Sequence, residues 1–185
     1  MGTIFVDNIK QQSSQGSGTI TIGASGETVS FASGVTGTNY PAFHAFLNST
    51  QDLSNGVRTK IAFANEEIDT NNCYDSSSNY RFTPTVAGKY LIYTQAVLTA
   101  SANTQFVDGD INIFKNGSGI AQQQFNFQSN PGNSCNGSIS RIVEFNGSSD
   151  YVESFAQINT NNSNQKVLGS SSTGFTLFGG FRIGT

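Results

Sequence analysis

The residues able to do chemistry are few. His44 is the only histidine, and it lies between Phe43 and Phe46 in a stretch with strand character. A hydrolytic site needs a nucleophile, a base and a group that orients the base. No Gly-x-Ser-x-Gly nucleophile turn occurs in the chain, so His44 reads as a structural histidine satisfied by its neighbours. Carboxylates cluster twice: Glu66, Glu67 and Asp69 in one place, Asp108 and Asp110 around Gly109 in the other. Paired carboxylates cleave glycosides when held at set separations, but both groups read as solvated loop charge. Asp108, Asp110 and Asn112 begin like a calcium loop. Ile113 then stands where the sharp turn needs Gly, and Gly119 where the closing Glu belongs. Cys73 and Cys135 sit in polar surroundings with no Cys-x-x-Cys spacing to bind a metal. Free thiols are expected, a disulfide between them being the alternative. The chain is therefore expected to be no enzyme, with no catalytic residue, no metal site and no cofactor.

The rest of the composition narrows the class. Only 11% of the 185 residues are charged and the net charge is -3, against about a quarter charged in an ordinary globular domain. Ser, Thr, Asn, Gln and Gly must wet the surface instead. Disorder is not the expected reading, because disordered chains combine low hydrophobicity with many charges, whereas 36% of this chain is hydrophobic and 15 residues are Phe. The nine Lys and Arg are scattered, which argues against nucleic acid, since phosphate neutralisation needs clustered basic residues. No run approaches the roughly 20 apolar residues of a membrane-spanning helix, so no membrane insertion is expected. Residues 1–7 lack the basic end and apolar run of a secretory signal, and Val6 breaks a myristoylation motif. Synthesis in a cytoplasm is expected. Five Asn-x-Ser/Thr sequences, at Asn48, Asn116, Asn136, Asn146 and Asn161, read as turns rather than glycosylation sites.

Strands must position whatever the chain does. The longest β-forming run covers residues 80–100. Tyr90, Ile92, Ala96 and Leu98 fall on one face and Leu91, Tyr93 and Val97 on the other, because strand side chains alternate. Apolar residues on both faces predict a central strand packed on both sides. Pro84 cannot donate to a ladder and marks the strand's entry, with Gly88 at the corner. Further strands are predicted at 43–47, 59–63, 110–114, 120–127, 137–145, 150–158 and 174–183, with 66–72 as a polar bend. Asn116-Gly117 and Asn146-Gly147 predict tight hairpins, since type I′ turns need positive φ at both central positions. No helical periodicity appears, so a sandwich or jelly roll is expected. Residues 1–38 differ. Ile20 and Ile22 align with Val29 and Phe31 at a step of nine, each pair followed by Ala-Ser-Gly. Two such short strands bury little alone, but three copies around an axis can bury one apolar face.

The corner Phe82, Pro84, Gly88, Tyr90 followed by an apolar strand resembles the middle of a C1q-like jelly-roll domain of the bacterial and phage type. Residues 41–48 resemble that family's first strand, 137–152 its late pair, and 175–183, with Phe178, Gly179, Gly180 and Phe181, its last. The resemblance covers residues 41–185. It implies an all-β C1q/TNF-like jelly-roll sandwich that forms a homotrimer, with aromatic residues of the first and last strands near the three-fold axis. Phe43, Phe46, Phe178 and Phe181 are the trimer-contact candidates on that basis, plain core being the other reading of each. Residues 1–38 resemble the repeats of phage tail-fibre proteins and imply a stalk or docking arm that holds other virion proteins. The function these resemblances imply is non-enzymatic. The chain would be a trimeric phage fibre or fibre tip in the virion, binding a host-surface glycan or protein. The alternative is a trimeric capsid decoration protein.

Overall fold

The computed structural model describes residues 40–184 apart from 101, 162, 163 and 173. The expectations for residues 1–38, both the paired repeats and the arm they would form, lie outside the described residues.

Among the described residues there is no helix. The strands are β1 (Ala42–Phe46), β2 (Gln51–Asp52), β3 (Thr59–Lys60), β4 (Asn65–Asp69), β5 (Tyr74–Asp75), β6 (Arg81–Phe82), β7 (Gly88–Thr99), β8 (Phe106–Lys115), β9 (Ser118–Asn126), β10 (Ser134–Phe145), β11 (Val152–Thr160), β12 (Lys166–Val167) and β13 (Leu177–Gly184). They make two antiparallel sheets. One runs β4-β1-β13-β7-β10, with β12 and β2 continuing from the far end of β7. The other runs β5-β6-β11-β8-β9, with β3 also on β11.

The long run 88–99 is the central strand, as its pattern predicts. It pairs with β13 and β12 along one edge and β10 along the other. Tyr90, Ile92, Ala96 and Leu98 are fully buried between the sheets. They meet an aromatic cluster in which Phe43 stacks on Phe82 at 4.3 Å and on Tyr74 at 5.0 Å. Tyr90 meets Phe145 edge to face at 5.0 Å. Offset and edge-on geometries of this kind add to what area burial alone supplies. The buried hydroxyls find partners, as buried polar groups must: Tyr74 donates to the Phe63 carbonyl and Tyr90 to the Val86 carbonyl. Burial pushes the Tyr90 phenol up to about 12 and raises Tyr74 further. Between the sheets, the hydroxyls of Thr94 and Ser154 meet at 2.9 Å.

Three local expectations are corrected. Residues 66–72 do not form only a bend: Asn65–Asp69 is β4, an edge strand on β1. Its Glu66 and Glu67 are exposed, and such charge shields an open edge from unwanted pairing. The predicted hairpin through Asn146-Gly147 is not a hairpin, because β10 pairs β7 in one sheet while β11 pairs β8 in the other. Only Gly147 of the two has positive φ, and Asn146 Oδ1 instead accepts from the backbone N–H groups of Ser148, Ser149 and Asp150. The local Asn-Gly signal cannot distinguish a hairpin from a step between sheets. The predicted strand 59–63 is only two residues long, although Ile61 and Phe63 beyond it are buried core. At Asn116-Gly117 the signal holds: both residues have positive φ and join β8 to β9.

Cys73 and Cys135 are free thiols, Cys73 within the core. Burial pushes the Cys135 thiol up to about 12.

Candidate functional site

The second face of β7 is where the structure departs from a simple sandwich. Leu91, Tyr93, Gln95 and Val97 project away from the core and stay only half-buried. Register carries the same face across neighbouring strands. Leu91 lies opposite Phe181 on one side and Ile142 on the other, and Gln95 opposite Leu177 and Ser138. Phe181 in turn faces Ala42, Leu177 faces Phe46, and His44 faces Ile68. The result is a stripe of mainly apolar residues across five strands, with no second layer over it among the described residues. Phe181 is 44% exposed, Ile142 58%, Ile68 51% and Ile183 45%. Monomeric soluble proteins rarely leave contiguous apolar patches of more than a few hundred Å² uncovered.

The four contact candidates divide between the two faces. Phe46 and Phe181 project outward into this stripe. Phe43 and Phe178 do not. They are 2% and 0% exposed and meet edge to face at 4.9 Å inside the sandwich, so their expected role at a surface is corrected to core. The reason is alternation: Phe43 and Phe46, and likewise Phe178 and Phe181, are an odd number of residues apart and must take opposite faces. Ile142, Ile68 and Leu91 were missed as members of the stripe. Leu91 shows in the second-face pattern of residues 88–99, but Ile142 and Ile68 join only through strand pairing.

A polar group sits within the stripe. Gly179 lies directly between His44 on β1 and Tyr93 on β7. The space left by its missing side chain is taken by the Tyr93 ring, since a Cβ there would lie 2.3 Å from the Tyr93 hydroxyl. His44 Nδ1 and the Tyr93 hydroxyl are then 2.9 Å apart, and His44 Nε2 is 3.4 Å from Glu67 Oε2. A carboxylate can only accept, so Nε2 meets Glu67 as a donor, and the Tyr93 hydroxyl can donate to Nδ1. Burial raises the Tyr93 phenol above its ordinary value, which keeps it a donor. His44 is thus held between the Tyr93 hydroxyl and the Glu67 carboxylate, and Ser171 and Ser172 border the same small pocket.

The second carboxylate cluster lies on the second sheet. Asp108, Asp110 and Asn112 share the outward face of β8. The Asp110 carboxylate is occupied by donors: Arg58 and Gln122, each at 3.0 Å, and Asn112. Among the described residues no three His, Cys, Asp or Glu side chains converge as a metal site. Glu66 receives a hydrogen bond from Ser76, and Asp69 caps the backbone N–H groups of Cys73 and Tyr74. Both are structural contacts. Among the aromatic side chains, Tyr74 and Phe106 are core, Phe125 packs against the core, and Tyr151 lies under Arg81 at 4.5 Å.

No protein-family model matches the chain, and no curated protein matches it in sequence. Solved structures do. The globular domain of zebrafish complement 1qA protein superposes with a TM-score of 0.51 at 14% identity, over 77% of this chain and 97% of that one. Murine APRIL at pH 5.0 gives 0.55 at 11% identity, over 78% and 100%. At such identities the likeness is one of fold. The chain has a C1q/TNF-like jelly-roll fold, which agrees with the fold read from residues 41–185.

Proposed function

We propose that this chain is a non-enzymatic virion protein, a homotrimeric phage fibre or fibre tip that binds the host surface. Residues 41–185 are its head, and residues 1–38 are the stalk or arm that joins other virion proteins. One observation carries the self-association: the uncovered apolar stripe through Phe46, Leu177, Phe181, Leu91, Tyr93 and Ile142, on the sheet that holds the first and last strands. Burying it against further copies of the chain removes apolar area from water, the main driving force of association. The C1q/TNF-like fold is consistent with this assembly. The virion assignment draws on the fibre-like repeats of residues 1–38 and on a sparsely charged sequence rich in hydroxyls and amides. Three identical heads turn weak single contacts into avid attachment.

Light scattering of the purified chain tests the assembly. A particle of three times 19.7 kDa is expected, and a monodisperse monomer would remove the case for the stripe as an interface. Antibody-gold labelling of particles tests position. Label on the tail is expected, whereas label over the capsid alone would make the chain a decoration protein.

A further inference from the structure

The outward face of the second sheet is built differently from the first. Strands β3, β11, β8 and β9 present amides, carboxylates and two phenylalanine rings, and part of this face opens into a groove of about 410 Å³ bordered by Arg58, Asn112, Phe114, Gly119 and Gln122. A bulge shapes it. Ile113 pairs with Ala121 but Phe114 with Gly119, which leaves Ile120 as the extra residue of β9. Bulges re-aim side chains and recur beside functional sites.

Beneath the groove lies Asp110, only 6% exposed although it points to the solvent side of its sheet. Arg58, Gln122 and Asn112 all donate to its carboxylate. A buried carboxylate held by three donors fixes each donor in turn. The guanidinium and the Gln122 amide are thereby set in one orientation before any ligand arrives, and such preorganisation lowers the entropy lost on binding. Arg58, Asn112 and Gln122 all border the groove. Beside them, Phe114 lies against Phe155 with centroids 4.6 Å apart. Gly119 stands opposite Phe114, and a Cβ there would already touch the ring at 3.5 Å. Without a side chain at 119, one flank of the ring stays uncovered.

Fixed planar donors and acceptors beside an open aromatic ring suit a ligand with many hydroxyls on one side and a C–H surface on the other. We propose that this groove is a binding site for a neutral saccharide, with Arg58, Asn112 and Gln122 hydrogen-bonding hydroxyl groups and Phe114 stacking on a sugar ring. The neutrality follows from the charges. Arg58 is committed to Asp110, and Lys60 is 2.5 Å from Glu153. Asp108 adds a carboxylate that accepts from Asn159 and Gln128. Arg58 and Lys60 are thus both paired with a carboxylate, which leaves neither free for an acidic sugar. The proposal rests on the attachment function proposed above and names its ligand class and site.

The test uses the full chain and a panel of lactose, maltose, cellobiose and chitobiose, with sialyllactose as the acidic member, followed by saturation-transfer NMR and titration calorimetry. At least one neutral member is expected to bind. Gln122 is exposed, so Gln122→Ala should fold normally and weaken binding about tenfold, the value of one lost hydrogen bond. Arg58→Ala serves as the second variant and should weaken it at least as much. No binding of any neutral member at about 10 mM, affinity unchanged in both variants, or preference for sialyllactose would each overturn the proposal. Light scattering on the same samples separates the two ideas. A trimer that binds no sugar removes only the saccharide site, and a monomer that binds one removes only the trimer.

Discussion

Phe178 and Phe181 sit three residues apart on β13 and should respond to truncation in different ways. Phe178 is fully buried, with Phe43 at 4.9 Å, Phe63 at 5.6 Å and Tyr74 at 6.3 Å around it. Phe178→Ala leaves a cavity among rings that cannot collapse into it, and about 3–5 kcal/mol of stability is lost. A domain holds only about 5–15 kcal/mol in total, so this change should leave it marginal. Phe181 keeps 44% of its surface exposed within one chain. Full burial of a phenylalanine contributes about 1.5–3 kcal/mol, so Phe181→Ala costs the isolated domain about 1–2 kcal/mol. Its main effect should fall on assembly. Urea denaturation at several protein concentrations, with light scattering alongside, separates the two. Phe178→Ala should lower the midpoint at every concentration. Phe181→Ala should reduce the measured mass and the concentration dependence of the midpoint. If Phe181→Ala were as destabilising as Phe178→Ala at all concentrations, Phe181 would be core and the outward stripe would not be an interface. A harmless Phe178→Ala would refute the burial on which the face assignment depends.

Other outcomes are expected at the polar group in the stripe and at the turn before β11. Gly179→Ala places a methyl 2.3 Å from the Tyr93 hydroxyl, so the ring must swing away and its bond to His44 is lost. A loss of about 1 kcal/mol is expected, with a shifted His44 imidazole resonance, and an unmoved resonance would refute the contact. Asp150 is held below the ordinary carboxylate range by the Asn116 amide first and Lys115 second. Asp75 is lowered further, first by the Ser78 backbone N–H and then by the Asn79 side chain. Both pKa values are depressed in the folded state. Their contribution is therefore present above about pH 4, the ordinary carboxylate value, and is lost as pH falls through the lowered values. Asp150→Asn should be less stable than the parent at neutral pH, with the gap closing in acid, and a gap that widens in acid would reverse the sign of the linkage.

The sequence by itself determined that the chain is a β-sandwich and which residues of its central strand face inward. Alternation along residues 88–99 is a local property, and the apolar positions Tyr90, Ile92, Ala96 and Leu98 obey it. The Asn116-Gly117 hairpin was legible for the same reason, since two adjacent positive φ values are a demand that these two residue types meet. Alternation also separated Phe178 from Phe181 in principle, because neighbours an odd number apart cannot share a face. Only the tertiary structure decided which face was covered. Whether Asn146-Gly147 turns back on itself or steps to the other sheet depends on distant pairing partners, as does the conversion of residues 65–69 into an edge strand. The stripe joins Ile68, Phe181, Leu91 and Ile142 from four strands far apart in sequence, and the groove joins Arg58, Asp110 and Gln122 in the same way. Register across strands brings such residues together, and no periodicity within one strand records its neighbour's register.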